Sequence, residues 1–278
     1  SLPADALPQD DATRFVLSPG RASRIRVLVP PGGESDALYF ERALEITESG
    51  EFDVVVSSGG FPGATALEET DVVVALGRTV SGGDLDRLGD WVRAGGGLLL
   101  VAGARGGWGE GGETLFPGAL AGVEDRDGRG ERLATIEYEH PIFEVFRGPR
   151  RGDFSAARFY RARGYDVQPS DSVAVLARFD DGSPALAERR TGAGRVLVWT
   201  STLDAGWTDL ALQPVFLPFV HQLTRYTAGS TEAFESFVAG QVIDVSDARA
   251  MESAGLGEVA EAISDSEERV VLTPSGGS

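Results

Sequence analysis

Five short runs in this chain are nearly all apolar, and segments of helical periodicity separate them: RIRVLVP (24–30), FDVVVSS (52–58), TDVVVALG (70–77), GLLLVAG (97–103) and GRVLVWTST (194–202). A strand that is apolar on both faces must be covered on both faces, which is the situation of a parallel sheet between two layers of helices. SDALYFERALEITES (35–49) predicts the first helix, with Ser35 or Asp36 as N-cap and Leu38, Phe40, Ala43, Leu44 and Ile46 near its apolar face. SGGDLDRLGDWVRAGG (81–96) predicts another: Leu85, Leu88, Trp91 and Val92 recur at three- and four-residue spacing, and Gly95 or Gly96 ends it. QPVFLPFVHQLTRYTAG (213–229) predicts the last, with Pro214 near N1, Gly229 as the stop, and Val215, Phe216, Phe219, Val220, Leu223 and Tyr226 buried.

Between 115 and 190 the pattern changes to loops and short alternating segments. RLATIEYE (132–139), SVAVLARF (172–179) and PALAERR (184–190) predict antiparallel strands or hairpins added to the sheet edge, with DDG (180–182) as a turn. The expected class is α/β: a doubly wound, mainly parallel sheet with antiparallel edge additions and a small C-terminal β-rich extension. The expected division is an extended lead-in at 1–23, the α/β domain at 24–230, and part of a β-rich module at 231–278, where ESFVAGQVIDV and ERVVLTPSGG look like strands.

Composition removes several functions. The formal net charge is −18, and all 25 basic residues are arginine. Such a surface repels nucleic acid and anionic membranes, and it suits a GC-rich, salt-adapted source. No apolar run approaches the roughly 18 residues that span a bilayer. The chain shows no signal peptide and does not start with Met, so it reads as a piece of a longer protein. There is no cysteine. Disulfides, thiolate metal sites and a cysteine nucleophile are thereby excluded.

The glycine-rich stretch RAGGGLLLVAGARGGWGEGGE (93–113) surrounds the fourth run. Its first triplet precedes the strand and is a helix stop. Its second cluster follows the strand, but the ETLFPGAL after it is a weak helix start, whereas a phosphate-binding glycine turn must open a helix. A nucleophile elbow is the better comparison, because it puts a reactive side chain on the sharp turn after a strand. The residues at that turn are Ala102, Gly103 and Ala104, none of them nucleophilic. His140, in EHPIF, lacks a second His or Cys at ligand spacing and suits a turn cap before Pro141. His221 sits beside the buried face of the last helix and suits a hydrogen-bonded packing role. Asp204 and Asp209, in LDAGWTDL, could act as acid, base or cation ligand, or could cap a turn and the following helix.

Ligands of open parallel sheets bind beyond the carboxyl ends of the strands. Here those ends read PPGGESD, SSGGFPG, GRTVSGGD, AGARGGWGEGG and TSTLDAGWTD. Ser57, Ser58, Arg105, Trp108, Asp204 and Trp207 are the side chains there best suited to a polar ligand, with His140 as a further candidate.

The order of these elements, with RAGGGLLLVAG, HPIF, DFSAARFY and GAGRVLVWTSTLDAGWTDLALQPVFLPFVHQLTRYTAG, resembles a class I glutamine-amidotransferase-like domain. Within that fold it resembles the version in bacterial membrane proteins of the BatA/aerotolerance-regulator N-terminal type, over roughly residues 20–230. The HPIF and RFY pair is also similar to the ThuA-like branch. The resemblance implies a flavodoxin/amidotransferase-like sheet and an extracytoplasmic (periplasmic) domain held to the membrane by anchors outside this chain. Active amidotransferases carry a Cys at the elbow and a His–Glu pair. This chain departs at that Cys, so the expectation is a pseudoenzyme: no catalytic residue, no cofactor, no metal, and no glutaminase activity. The expected partner is a protein or a polar small molecule, not nucleic acid. The competing expectation is a hydrolase, or a sensor of a polar, sugar-like molecule, using the same crevice.

Overall fold

The computed structural model describes residues 21–46, 50–126, 128–148 and 153–229, together with the backbone of 260–263 and 269–272. The chain divides into two compact units, one comprising Ala22–Glu232 and the other Ser1–Arg21 with Ala233–Ser278. In the larger unit the elements run β1 (Ser23–Leu28), α1 (Leu38–Glu45), β2 (Phe52–Ser57), α2 (Ala64–Glu68), β3 (Val72–Leu76), β4 (Thr79–Val80), α3 (Gly83–Arg93), β5 (Gly97–Val101) and β6 (Gly107–Trp108). They continue with β7 (Ala119–Asp125), β8 (Leu133–Ile136), α4 (Pro141–Glu144), β9 (Arg161–Asp166), β10 (Val173–Phe179), β11 (Pro184–Thr191), β12 (Gly194–Trp199) and α5 (Phe216–Thr227). In the smaller unit β13 (Ala260–Ile263) pairs antiparallel with β14 (Arg269–Leu272). The expected strand in ESFVAGQVIDV and most of the lead-in lie outside the described residues.

One eight-stranded sheet carries the larger unit, in the order β2-β1-β3-β5-β12-β11-β10-β8. The first five strands are parallel and correspond to the five apolar runs. β5 is central, between β3 and β12. The last three strands are antiparallel additions, joined through the β11–β12 and β10–β11 pairings. β3 and β5 are buried at every position because both faces are covered. Val27, Val74, Leu99 and Leu197 face α1, α4 and α5, whose Phe40, Phe143 and Phe219 join the same cluster. Leu28, Val73, Leu98 and Val196 face the other way, against Leu67 of α2 and Leu88 and Val92 of α3.

Two close approaches fix these layers. The start of β5 lies under the end of α5: a Cβ on Gly97 would sit 1.9 Å from the Thr227 carbonyl oxygen, so only glycine fits. At α3 the helix ends as its glycines predict, with Gly95 at φ 122°.

Several local expectations need correction. Neither Ser35 nor Asp36 caps α1. Both lie in a 3₁₀ turn, Glu34–Ala37, and the helix starts after it with no side-chain cap. Leu38 and Ile46 are exposed, since the helix stops at Glu45 and its buried stripe is only Phe40, Ala43 and Leu44. Pro214 precedes α5, which begins at Phe216; Pro218 falls in the first turn, where a missing N–H costs little. β7 and β9, which pair antiparallel, carry no legible alternation: most of β7 is exposed.

Candidate functional site

β1, β3, β5 and β12 all end on one side of the sheet. β1 connects outward to β2, while β3 lies on its other flank, so the β1/β3 boundary is a topological switch point, where open sheets leave a crevice. A cleft of about 210 Å³ occupies it. Pro30 lines it from the end of β1, Leu76 and Gly77 from β3, and Val101 and Gly103 to Arg105 from β5. Thr202 to Asp204, Gly206 and Trp207 line it from β12, and Asp36 from the 3₁₀ turn before α1.

The turn after β5 has an elbow's sharpness without its helix. Gly103 is at φ 51°, and the Gly106 N–H closes the turn onto the Ala102 carbonyl at 2.6 Å. A Cβ on Gly103 would meet Thr202 Cγ2 at 3.7 Å and Gly77 Cα at 3.8 Å, ordinary contacts, so there is room for a side chain where none exists. The chain then enters β6, which pairs with β4. A thiolate elbow draws on the helix N-terminus behind it. Here both the nucleophile and that dipole are missing. Arg163 holds the turn instead: Nη1 donates to the Gly106 carbonyl at 2.9 Å and Nε to the Ala121 carbonyl at 2.6 Å. Thr79 Oγ1 donates to the Arg105 carbonyl at 2.7 Å.

The cleft is charged on both signs. The Asp36 carboxyl is held above the usual carboxylate range, first by burial and then by the negative charge of Asp204; a hydrogen bond from Ser35 and the charge of Arg105 oppose the rise. Asp204 Oδ1 accepts the Gly206 N–H at 2.6 Å, fixing the loop after β12. Trp207 is buried, with the Arg161 guanidinium 5.8 Å from its ring centroid. Four polar groups here lack partners among the described residues. Thr202 Oγ1 is buried with no hydrogen bond. Gly103 is buried, and neither its N–H nor those of Ala104 and Arg105 find an acceptor among the described residues.

Of the residues expected from sequence, Arg105, Asp204 and Trp207 converge on this cleft. Ser57 and Ser58 do not line it; Ser57 Oγ accepts the Gly59 N–H at 3.1 Å within the loop after β2. Trp108 turns away to stack on Phe116, 4.5 Å between ring centroids. Asp209 does not cap its own turn; Oδ1 accepts the Arg158 N–H at 2.6 Å, while Thr208 supplies the cap. His221 Nε2 is bonded to the Ala43 carbonyl at 2.7 Å and its ring packs edge-on to Phe52.

His140 is the N-cap of α4, with Nδ1 accepting the Ile142 N–H at 3.3 Å. Its Nε2 lies 3.5 Å from Glu188 Oε2, and its ring stands against Tyr226. Tyr226 donates its hydroxyl hydrogen to Glu188 Oε1 at 2.5 Å, and Arg190 Nη2 donates to the Tyr226 hydroxyl at 3.2 Å. Burial pulls the Glu188 carboxyl upward, but the His140 imidazole beside it, the hydrogen bond from Tyr226 and the charge of Arg190 outweigh it and leave it below the usual range. Burial, with the Glu188 carboxylate beside it, pushes the Tyr226 hydroxyl up to about 12. This His–carboxylate contact lies off the cleft. Glu188 pairs with Leu197 and Arg190 with Arg195, toward the start of β12, whereas the cleft opens beyond its end.

Asp36 is the functional candidate that sequence reasoning assigned elsewhere. The available signal was its place in PPGGESD, at the carboxyl end of the first strand, but a Ser-Asp pair before an apolar stripe also fits a helix cap.

No family model matches the sequence, and no curated protein matches it. Solved structures do. A cytoplasmic protein from Salmonella typhimurium is 14% identical, with a TM-score of 0.52, over 73% of this chain and 98% of its own. A cold-adapted β-galactosidase from Rahnella sp. R3 is 16% identical, with a TM-score of 0.51, over 73% of this chain and only 31% of its own. A ThuA-like protein from Bacteroides uniformis is 11% identical, with a TM-score of 0.50, over 77% of this chain and 95% of its own. At such identities the likeness speaks for architecture alone: this chain shares the α/β fold of these structures, the ThuA-like protein among them.

Proposed function

We propose that this chain is a noncatalytic amidotransferase-like scaffold, the ligand- or protein-binding domain of a bacterial membrane protein of the BatA type, working on the extracytoplasmic side. The observation that carries the reading is the turn at Gly103. The crevice around it is retained and lined with polar groups, while the position of a nucleophile is a glycine, no helix follows, and the chain has no cysteine. No described helix is long and apolar enough to cross a membrane; in this reading anchors of the full-length protein hold the domain to the membrane. Ammonia release from glutamine above a heat-killed control would overturn the noncatalytic part. For the location, a protease added to spheroplasts should cleave this domain in the full-length protein; protection until lysis would place it in the cytoplasm.

A second reading, hydrolysis or sensing of a polar small molecule, is favoured by one observation. Asp36 and Asp204 share a cleft, and burial together with the charge of Asp204 raises the Asp36 carboxyl above its usual range. Turnover of chromogenic esters or glycosides that disappears in both Asp36→Asn and Asp204→Asn would support it.

A further inference from the structure

We infer that the cleft takes a small zwitterion, its ammonium end between Asp36 and Asp204 and its carboxylate end on the free amides of Gly103 to Arg105 and the Arg105 guanidinium. The inference rests on the binding reading above and narrows it to a ligand class.

Three independent observations lead there. First, one cleft carries both signs. Arg105 lines it from the turn after β5, and Asp36 and Asp204 line it from the turn before α1 and the loop after β12. A ligand of one sign leaves part of this charge unmatched. Second, the amide of a buried glycine lacks an acceptor, which is rare for buried backbone and marks a place where something else binds. The buried, unpartnered Thr202 hydroxyl in the same lining makes the same demand. Third, the two carboxylates repel each other across the cleft, and a cation between them removes that repulsion. A neutral polyol does not. The chain's net charge of −18 works in the same direction, since it disfavours a free anion at the Arg105 wall unless the ligand also carries a positive end. At about 210 Å³ the space equals roughly seven waters, so the ligand is a small molecule and not a peptide segment.

The test is a titration of the ¹⁵N-labelled chain with four probes: β-alanine, ethylammonium chloride, sodium propionate and glucose. The readouts are the Gly103 to Arg105 amide signals and the Trp207 indole signal. The expected result is saturable shifts with β-alanine, and at least tenfold weaker binding of either one-ended probe. Arg105→Gln should reduce β-alanine binding at least tenfold without weakening ethylammonium binding. Asp204→Asn should do the reverse for propionate. The remainder of each variant's spectrum reports whether it folds, and Asp36→Asn serves if Asp204→Asn does not. Equal affinity for β-alanine and ethylammonium, or shifts with glucose alone, overturns the zwitterion inference while leaving a binding cleft in place. Silence of the cleft signals with all four probes overturns the inference too. The binding reading itself fails only if glutamine or a chromogenic substrate is turned over.

Discussion

Phe219→Ala is the sharpest test of how the α5 layer is held. Phe219 is fully buried on α5, facing the sheet. Its ring centroid lies 5.4 Å from Trp199, 5.5 Å from Phe154 and 5.8 Å from Phe143. It therefore joins the end of β12, the turn after residue 153 and the short helix α4. Truncation removes a ring from a site bounded by three other rigid rings that cannot collapse inward without breaking their own contacts. Buried Phe→Ala changes cost about 3–5 kcal/mol, and the poor prospects for collapse put this one in the upper half of that range. For a unit of this size each kcal/mol is about 2–4 °C, so the melting temperature should fall by roughly 8–20 °C. Urea unfolding followed by far-UV circular dichroism gives the free energy directly, and Leu212→Ala, at a position 66% exposed, is the control and should stay within about 0.5 kcal/mol. A loss below about 1.5 kcal/mol for Phe219→Ala would mean that α5 is not anchored through this aromatic group.

Three further outcomes are expected. Glu188 has a lowered carboxyl, so it contributes stability at neutral pH that is lost as pH falls below the usual carboxylate range; Glu188→Gln should be less stable at pH 7 and flatter across the acid limb of a stability–pH curve, and an unchanged limb would contradict its pairing with Tyr226 and His140. Gly103→Ala meets nothing closer than 3.7 Å but needs φ 51°, so it should cost about 1–2 kcal/mol by denaturant titration, whereas Gly97→Ala should cost more because its Cβ meets the Thr227 carbonyl; equal costs would refute the close packing of α5 on β5. With 43 acidic against 25 basic side chains, the melting temperature should rise between dilute buffer and 1 M salt, where screening shortens to about 3 Å; a flat or falling trend would remove self-repulsion as a significant term.

The parallel core was legible because burial on both faces leaves an unmistakable mark: VVVAL and GLLLV admit no solvent-facing alternation, and β3 and β5 are indeed buried throughout. The antiparallel additions were legible for the opposite reason, since a turn such as DDG between alternating segments specifies a hairpin. What escaped had no such mark. α2 is five residues long, too short to show a period. β7 is held by its pairing with β9 and not by burial of its own side chains. Arg105, Asp204 and Trp207 line one cleft because the carboxyl ends of neighbouring parallel strands must lie together. Ser57 and Trp108 obeyed the same rule and still missed, since that rule places loops and not side-chain directions. Asp36 was lost to a local argument: capping preference outweighed its position at the crevice.

The placement of β12 has a consequence for how the molecule is made. β5 and β12 are hydrogen-bonded neighbours, yet residues 102–193 separate them. On a ribosome, β1, β2, β3 and β5 emerge first and can assemble a four-stranded half-sheet in which β5, an apolar strand, is an edge with unpaired backbone groups. That edge stays uncovered until the hairpin of β10 and β11 has folded and delivered β12 to it. Long-range closure of this kind slows folding and exposes a hydrophobic edge to other nascent chains. A synthesis pause before residue 194 would prolong the exposure of that edge.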